Sequence, residues 1–285
     1  MHVLKATQDR AEPERDAPAA RRGRAIVITS GKGGVGKTTT TANLGTALAQ
    51  RGASVVLVDA DVGLRNLHIV LGLERRVKHH LLDVLDGTVT VDDALVADKR
   101  SPTLRLLAAA QAREKEDVDT DKMRALIAGL RERFDYVLID CPAGIELGFR
   151  NAVAGADEAI VVCTPEVSAV RDVDRVVGLL GNAFEPRLVI NRLRPQLVKQ
   201  GKMLSVDDVN AILRLPLLGV IADEPEIIVS TNRGEPLALR DDAPTGAAYR
   251  AIAARVAGED VPAPMPPPAQ TFFERIGSIF GGKRT

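Results

Sequence analysis

The chain has 285 residues, 45% of them hydrophobic, with 38 basic and 38 acidic side chains, so its formal net charge is zero. One α/β domain of roughly 240 residues plus tails fits this length, and the charge balance argues against a protein coated with nucleic acid. Two cysteines, Cys141 and Cys163, are too few for a disulfide framework and suit a reducing compartment; no secretory signal opens the sequence, and no apolar run approaches the ~20 residues of a spanning helix.

Residues 1–23 are rich in Ala, Arg, Glu, Asp and Pro without apolar periodicity, which predicts a disordered extension. The Arg21, Arg22 and Arg24 cluster at its end reads as a solvated edge. Ala25-Ile26-Val27-Ile28-Thr29 reads as a strand, and a helix-compatible segment runs from Thr38 to Arg51 before Gly52. Between them lies Gly31-Lys32-Gly33-Gly34-Val35-Gly36-Lys37-Thr38, followed by Thr39. This fits the phosphate-binding pattern G-x-x-x-x-G-K-[ST] in the strand–loop–helix context the pattern needs. Glycines let backbone N–H groups curl around phosphate oxygens, and the helix N-terminus adds its positive dipole end. Lys37 is expected on the β- and γ-phosphates of ATP, and the Thr38 hydroxyl on Mg²⁺.

Lys32 places a second cation just after the first glycine. The resulting K-G-G-V-G-K-T-T loop resembles the deviant Walker A (ParA/MinD) family of ATPases. The resemblance implies a P-loop fold of the SIMIBI class. It also implies that Lys32 reaches the nucleotide of an opposing subunit, so that two copies sandwich two ATPs as a homodimer. Lys32, Lys37 and Asp61 are then the catalytic residues.

Ser54 to Val58 reads as a buried strand ending in Asp59-Ala60-Asp61, and α/β sheets place their ligands at this edge. Val62-Gly63-Leu64-Arg65-Asn66-Leu67 continues it and resembles the first switch of the MinD branch, D-x-D-x-G-L-R-N. By that resemblance Asp61 positions the attacking water and Asp59 supports Mg²⁺. Short helical pieces follow around Leu81–Leu85 and from Asp92 to Val96; His79 and His80 lack spaced partners and read as surface histidines. Thr103 to Leu107 reads as a strand. From Thr120, taken as N-cap, Met123, Leu126, Ile127, Leu130 and Phe134 keep helical spacing and form a core stripe.

Tyr136 to Asp140 is an apolar strand ending in a carboxylate, the Walker B pattern, so Asp140 is expected to hold the Mg²⁺ water shell. D-C-P-A-G-I-E from Asp140 resembles the second switch of the MinD branch. Ala159 to Cys163 reads as another buried strand; Pro165 to Asp172 resembles the branch's P-E-V-S-S-V-R-D and opens a helix over 168–182 with Ser168 as cap. Arg187 to Asn191 reads as a strand ending in Asn191-Arg192, where the family's asparagine reads the adenine edge. Met203 to Leu213 resembles a further branch segment, with Ser205 as cap, and Leu218 to Ile221 reads as the last strand. At Ala222-Asp223 the resemblance breaks, since many relatives carry proline before the acidic residue. A final helix is expected over Thr245–Ala257. The resemblance covers about Arg24 to Gly258, and strand–helix alternation independently predicts a doubly wound, mostly parallel sheet with helices on both faces.

Residues 259–270 carry Pro262, Pro264, Pro266, Pro267 and Pro268 and read as an extended spacer outside the domain. In residues 271–285, Phe272, Phe273, Ile276, Ile279 and Phe280 fall on one helical face, with Arg275, Lys283 and Arg284 against a single Glu274. This predicts an interfacial helix on an anionic membrane and matches the branch's membrane-targeting tail. The resemblance implies a cytoplasmic ATPase of division-site selection, peripheral on the inner membrane, with a MinC-like inhibitor and a MinE-like or other topological factor as partners. Glu146 and Asp172 lie near the family's partner surface. FlhG-type flagellar-number ATPases and ParA-type DNA partition ATPases share the nucleotide chemistry; the apolar tail speaks against DNA binding.

Overall fold

A computed structural model describes residues 22–62, 66–109, 118–145 and 147–267. In chain order the elements are β1 (Arg24–Thr29), α1 (Lys37–Gln50), β2 (Val55–Asp59), α2 (Leu67–Val70), α3 (Leu81–Leu85), α4 (Val91–Ala94), β3 (Val96–Ala97), β4 (Leu104–Leu107), α5 (Thr120–Arg131) and β5 (Tyr136–Asp140). They continue as α6 (Leu147–Val153), β6 (Glu158–Cys163), α7 (Val167–Leu180), β7 (Arg187–Leu193), α8 (Pro195–Lys199), α9 (Val206–Leu213), β8 (Leu217–Ala222), α10 (Pro225–Arg233) and α11 (Pro244–Val256).

The eight strands form one sheet in the order β3-β4-β2-β5-β1-β6-β7-β8, parallel except for the short antiparallel β3. Alternate residues of the central strands feed two cores, which is why these strands read as continuous apolar runs. Val27, Val58, Ile139 and Val161 face Met123 and Ile127 of α5 and Val173 of α7. Ile28, Leu57, Leu138 and Ile160 face Leu44 of α1 and Tyr249 and Ile252 of α11. The sheet is therefore doubly wound, as expected. β1 sits between β5 and β6, so the turn leaving it opens at the topological switch point of the sheet. Cys141 and Cys163 are buried, and burial pushes both thiols up to about 12.

Several local expectations need correction. Val96 belongs to an edge strand paired with Leu106, not to a helix. The N-cap of α5 is Asp119, whose Oδ1 accepts from the amides of Asp121 (2.8 Å) and Lys122 (3.2 Å). Thr120 sits one residue inside and donates its hydroxyl to Asn151 Oδ1 at 2.5 Å. α7 starts at Val167 because Glu166 is the extended capping residue and its carbonyl accepts from Val170 N, so Ser168 is already helical. β7 does not stop at Asn191: it continues to Leu193 through an irregularity at Arg192, whose φ is 58°. His79 and His80 are half-buried, and the His80 amide donates to Asp83 at the start of α3. Helices α2, α6, α8 and α10 are additional to those the sequence predicts.

The proline-rich segment is not outside the domain as far as Pro267. Glu259 pairs with Arg51, Arg255 donates to the Val261 carbonyl, and Val220 N donates to Pro264 O at 2.9 Å. Met265, Pro266 and Pro267 then line one side of an open groove whose other walls include Leu193, Pro195, Val198 and Val206. β8 is the sheet edge, and an edge N–H needs an acceptor; proline supplies a carbonyl while having no donor of its own to waste. Gly219 makes the close approach possible, since a Cβ there would lie 2.6 Å from Pro264 Cγ. Residues 268–270 of the expected spacer, like residues 1–21 and 271–285, lie outside the described residues. Amide exchange tests the strap: ending the chain after Ala263 should speed exchange at Val220 by roughly tenfold or more, whereas ending it after Pro267 should not. Equal exchange in the two truncations would show that the strap does not bond the edge.

Candidate nucleotide site

The site is built where β1, β2 and β5 end. Gly34 (φ 75°) and Gly36 (φ 100°) hold left-handed backbone that other residues adopt only with strain. A Cβ on Gly36 would lie 2.2 Å from Asn191 Nδ2, and one on Gly31 would lie 2.2 Å from the Asp172 backbone of α7. The loop is thus wrapped between β7 and α7 with no room for side chains at these positions. Gly36 precedes α1 and offers no side-chain cap, so the first-turn amides face outward as an anion cradle.

Lys37 is only 7% exposed, and its Nζ donates to Ser30 Oγ at 3.0 Å. Ser30 Oγ in turn donates to the Lys32 carbonyl at 2.7 Å, closing the loop back on itself. Lys32, by contrast, is exposed, with its charge in solvent at the rim of the cradle. Thr38 and Thr39 are half-buried in the first turn of α1, and the Thr39 carbonyl accepts from Asn43 Nδ2 at 2.8 Å.

Asp59 and Asp140 are register partners on adjacent strands, and both are buried. Asp59 accepts from Asp61 N (3.1 Å) and Leu67 N (3.4 Å), which folds the half-buried Asp61 back over the strand end. Burial, then the neighbouring Asp140 charge, pushes the Asp59 carboxyl well above the usual carboxylate range. Burial likewise lifts Asp140 to about 6, against the pull of Thr38, Lys37 and Thr41. Two buried carboxylates side by side, next to the Thr41 hydroxyl, are short of positive charge. An oxygen-loving divalent cation such as Mg²⁺ fits that donor set.

Asn191 is 3% exposed and donates from Nδ2 to the Val35 carbonyl at 2.7 Å. Its Oδ1 is buried and bonds nothing among the described residues. An acceptor left over next to the phosphate cradle fits the exocyclic amine of an adenine. Arg192, expected beside it, is exposed at the irregularity of β7. Gly63, Leu64, Arg65 and the Glu146 side chain lie outside the described residues, as do Phe272, Phe273, Ile276, Ile279 and Phe280. Asp172 backs Gly31 and pairs with Arg175 at 3.8 Å.

The sequence pattern of the CobQ/CobB/MinD/ParA nucleotide binding domain matches residues 26–237, a span that runs from β1 to the turn after α10. The septum site-determining protein MinD of Synechocystis is 55% identical over 242 residues, 84% of this chain and 91% of that protein. The chain belongs to the MinD family. As a member of it the chain is an ATP hydrolase, and its architecture is that of MinD structures. A MinC:MinD cell division protein complex from Aquifex aeolicus superposes with a TM-score of 0.79 at 47% identity, covering 84% of this chain and 98% of that one. The MinD of Pyrococcus horikoshii, complexed with Mg-ADP, gives 0.75 at 33% identity over 82% and 96% of the two chains. Among the described residues no helix is long and apolar enough to cross a membrane.

Ser30, which accepts from Lys37, and Thr41, which lies 3.2 Å from Asp140, border the predicted site residues and were passed over in sequence reasoning. Ser30 directly precedes the loop pattern, and Thr41 closes a run of four threonines, which is the signal each left in the sequence.

Proposed function

We propose that this MinD-family ATPase of division-site selection works as an ATP-dependent homodimer that cycles on and off the inner membrane and recruits a MinC-like inhibitor. The observation that carries this reading is the contrast between the two loop lysines. Lys37 is buried and tethered inside the cradle, whereas Lys32 stands exposed at its rim, free to serve a site outside its own subunit. The loop amides and Lys37 bind the β- and γ-phosphates, and Asn191 Oδ1 accepts from the adenine amine. Thr38, Asp59 and Asp140 would hold Mg²⁺. When bound, Mg²⁺ neutralises charge that builds on the phosphoryl oxygens. Asp61 orients the water that attacks the γ-phosphorus, and the bond to ADP breaks. A carboxylate is a weak base at neutral pH, so orientation is its main contribution. Lys32 of each copy adds its charge to the partner's phosphates, which makes turnover depend on dimerisation.

Residues 271–285 supply the membrane anchor. Fully burying one Phe or Ile is worth ~1.5–3 kcal/mol, but interfacial burial is partial and ordering a short helix offsets much of it. One tail therefore binds weakly, and two on a dimer gain avidity of about 10²–10⁴-fold. Arg275, Lys283 and Arg284 add roughly 1 kcal/mol each on an anionic surface. Vesicle co-sedimentation with ATP against ADP, with DNA as competitor, tests the reading. The full chain should sediment with anionic vesicles in ATP only, and the chain ending at Gln270 should stay in solution while still dimerising. Sedimentation of the truncated chain would remove the tail as anchor, and lipid-free retention on DNA that fades with salt would favour a partition ATPase.

A further inference from the structure

The first turns of α1 contain Thr38, Thr39, Thr40 and Thr41 in succession. β-branched residues rank below Ala and Leu in helices, so a run of four needs a reason beyond the helix itself. Thr38 and Thr39 belong to the phosphate-loop pattern, and Thr40 sits 3.4 Å from the Tyr249 hydroxyl of α11. Thr41 belongs to neither and is fully buried. Its Oγ1 lies 3.0 Å from the Lys37 carbonyl, one turn back, and 3.2 Å from Asp140 Oδ1, a contact between positions 99 residues apart. The bond to the Lys37 carbonyl alone would satisfy a buried helical threonine. It leaves unexplained why the one hydroxyl proton is shared between that carbonyl and the carboxylate that ends β5. Asp140 thus meets a hydroxyl from the interior of α1, one helical turn beyond Thr38 at the loop end of the same helix.

We propose that Thr41 is a positioning residue for the hydrolytic reaction: its hydroxyl fixes the Asp140 carboxylate in the orientation that faces Thr38 and the cation, before nucleotide arrives. The proposal rests on the assignment of Asp140 and Thr38 to Mg²⁺. Thr41 touches neither substrate nor metal; it acts through Asp140 alone. A side chain of the same shape without the hydroxyl would keep the packing of α1 but let the carboxylate turn.

The test is the affinity of the full chain for a fluorescent ATP analogue, titrated with Mg²⁺. In Thr41→Val the affinity without Mg²⁺ should equal that of the unaltered chain, and the Mg²⁺ concentration giving half of the affinity gain should rise about tenfold, the scale of a hydrogen bond to a charged group. Thr41→Ser should restore it. In an Asp140→Asn background Thr41→Val should add nothing. An unchanged Mg²⁺ midpoint in Thr41→Val would overturn the proposal and leave Thr41 a packing residue. So would an equal loss of affinity with and without Mg²⁺, because the effect would then pass through the loop and not through Asp140. Should Thr41→Val melt at a much lower temperature, Thr41→Ala gives the same comparison, with Thr41→Ser as its control. Failure of the underlying assignment reads differently: the unaltered chain would then show no Mg²⁺ dependence, and the proposal would fall with it.

Discussion

Lys32→Ala should bind nucleotide as the unaltered chain does and lose turnover by about 10³–10⁵-fold, the range over which a cation supplied by a partner acts on phosphoryl transfer. Binding survives because Lys37 and the loop glycines are untouched: Lys37 Nζ is tied to Ser30, and Ser30 to the backbone carbonyl of residue 32, which any side chain there retains. Turnover should fail because, in the proposed sandwich, the exposed charge serves the opposing site. Equilibrium ultracentrifugation with a non-hydrolysable ATP analogue gives the second readout, in which the variant should remain monomeric. An intact nucleotide-dependent dimer in Lys32→Ala would sink the sandwich arrangement. A variant that lost nucleotide affinity outright would place Lys32 in its own subunit's cradle.

What could be read in the sequence was what depends on short stretches of chain. The phosphate loop is such a case, because its conformation needs glycine at 31, 34 and 36, and those closely spaced glycines are visible in order. Asp59 and Asp140 were legible because each ends an apolar run, and a strand that delivers a carboxylate at its carboxyl end is a local pattern. Their juxtaposition is a different kind of fact. Asp59 and Asp140 become neighbours because β2 and β5 pair in register, which no local pattern encodes. Thr41 and Ser30 were missed for the same reason: a threonine in a helix and a serine before a glycine are unremarkable until β5 and Lys37 are placed beside them.

Helix starts were displaced by one or two residues where two capping candidates stand close together. Asp119 outcompetes Thr120, and Glu166 precedes Ser168, because the extended residue that leaves the preceding loop takes the capping role. α10 escaped notice because Ile228 and Val229 are exposed, so its apolar residues do not mark a single inward face. The strap misled through its prolines, which interrupt helices and central strands but suit an edge that needs only acceptors.

Asp61→Ala should slow hydrolysis by about 10²–10⁴-fold, the scale of a positioned acid–base or water-orienting group, while leaving nucleotide binding near normal. The geometry separates it from its neighbours. Asp59 is fully buried and committed to the amides of Asp61 and Leu67, so its loss would disturb the path of the chain into α2. Asp61 lies one step further out and half-buried, and its backbone amide donates to Asp59 whatever side chain the position carries. Removing its carboxylate therefore keeps the amide bond to Asp59, whereas Asp59→Ala would lose the bonds to both Asp61 and Leu67. If hydrolysis is what releases the dimer, Asp61→Ala should also stay on anionic vesicles after ATP is diluted, whereas the unaltered chain leaves. The two readouts divide the outcomes. Slow turnover without prolonged vesicle residence would show that something other than hydrolysis sets release. Normal turnover would reassign the water to another group, with Asp59 the next to examine.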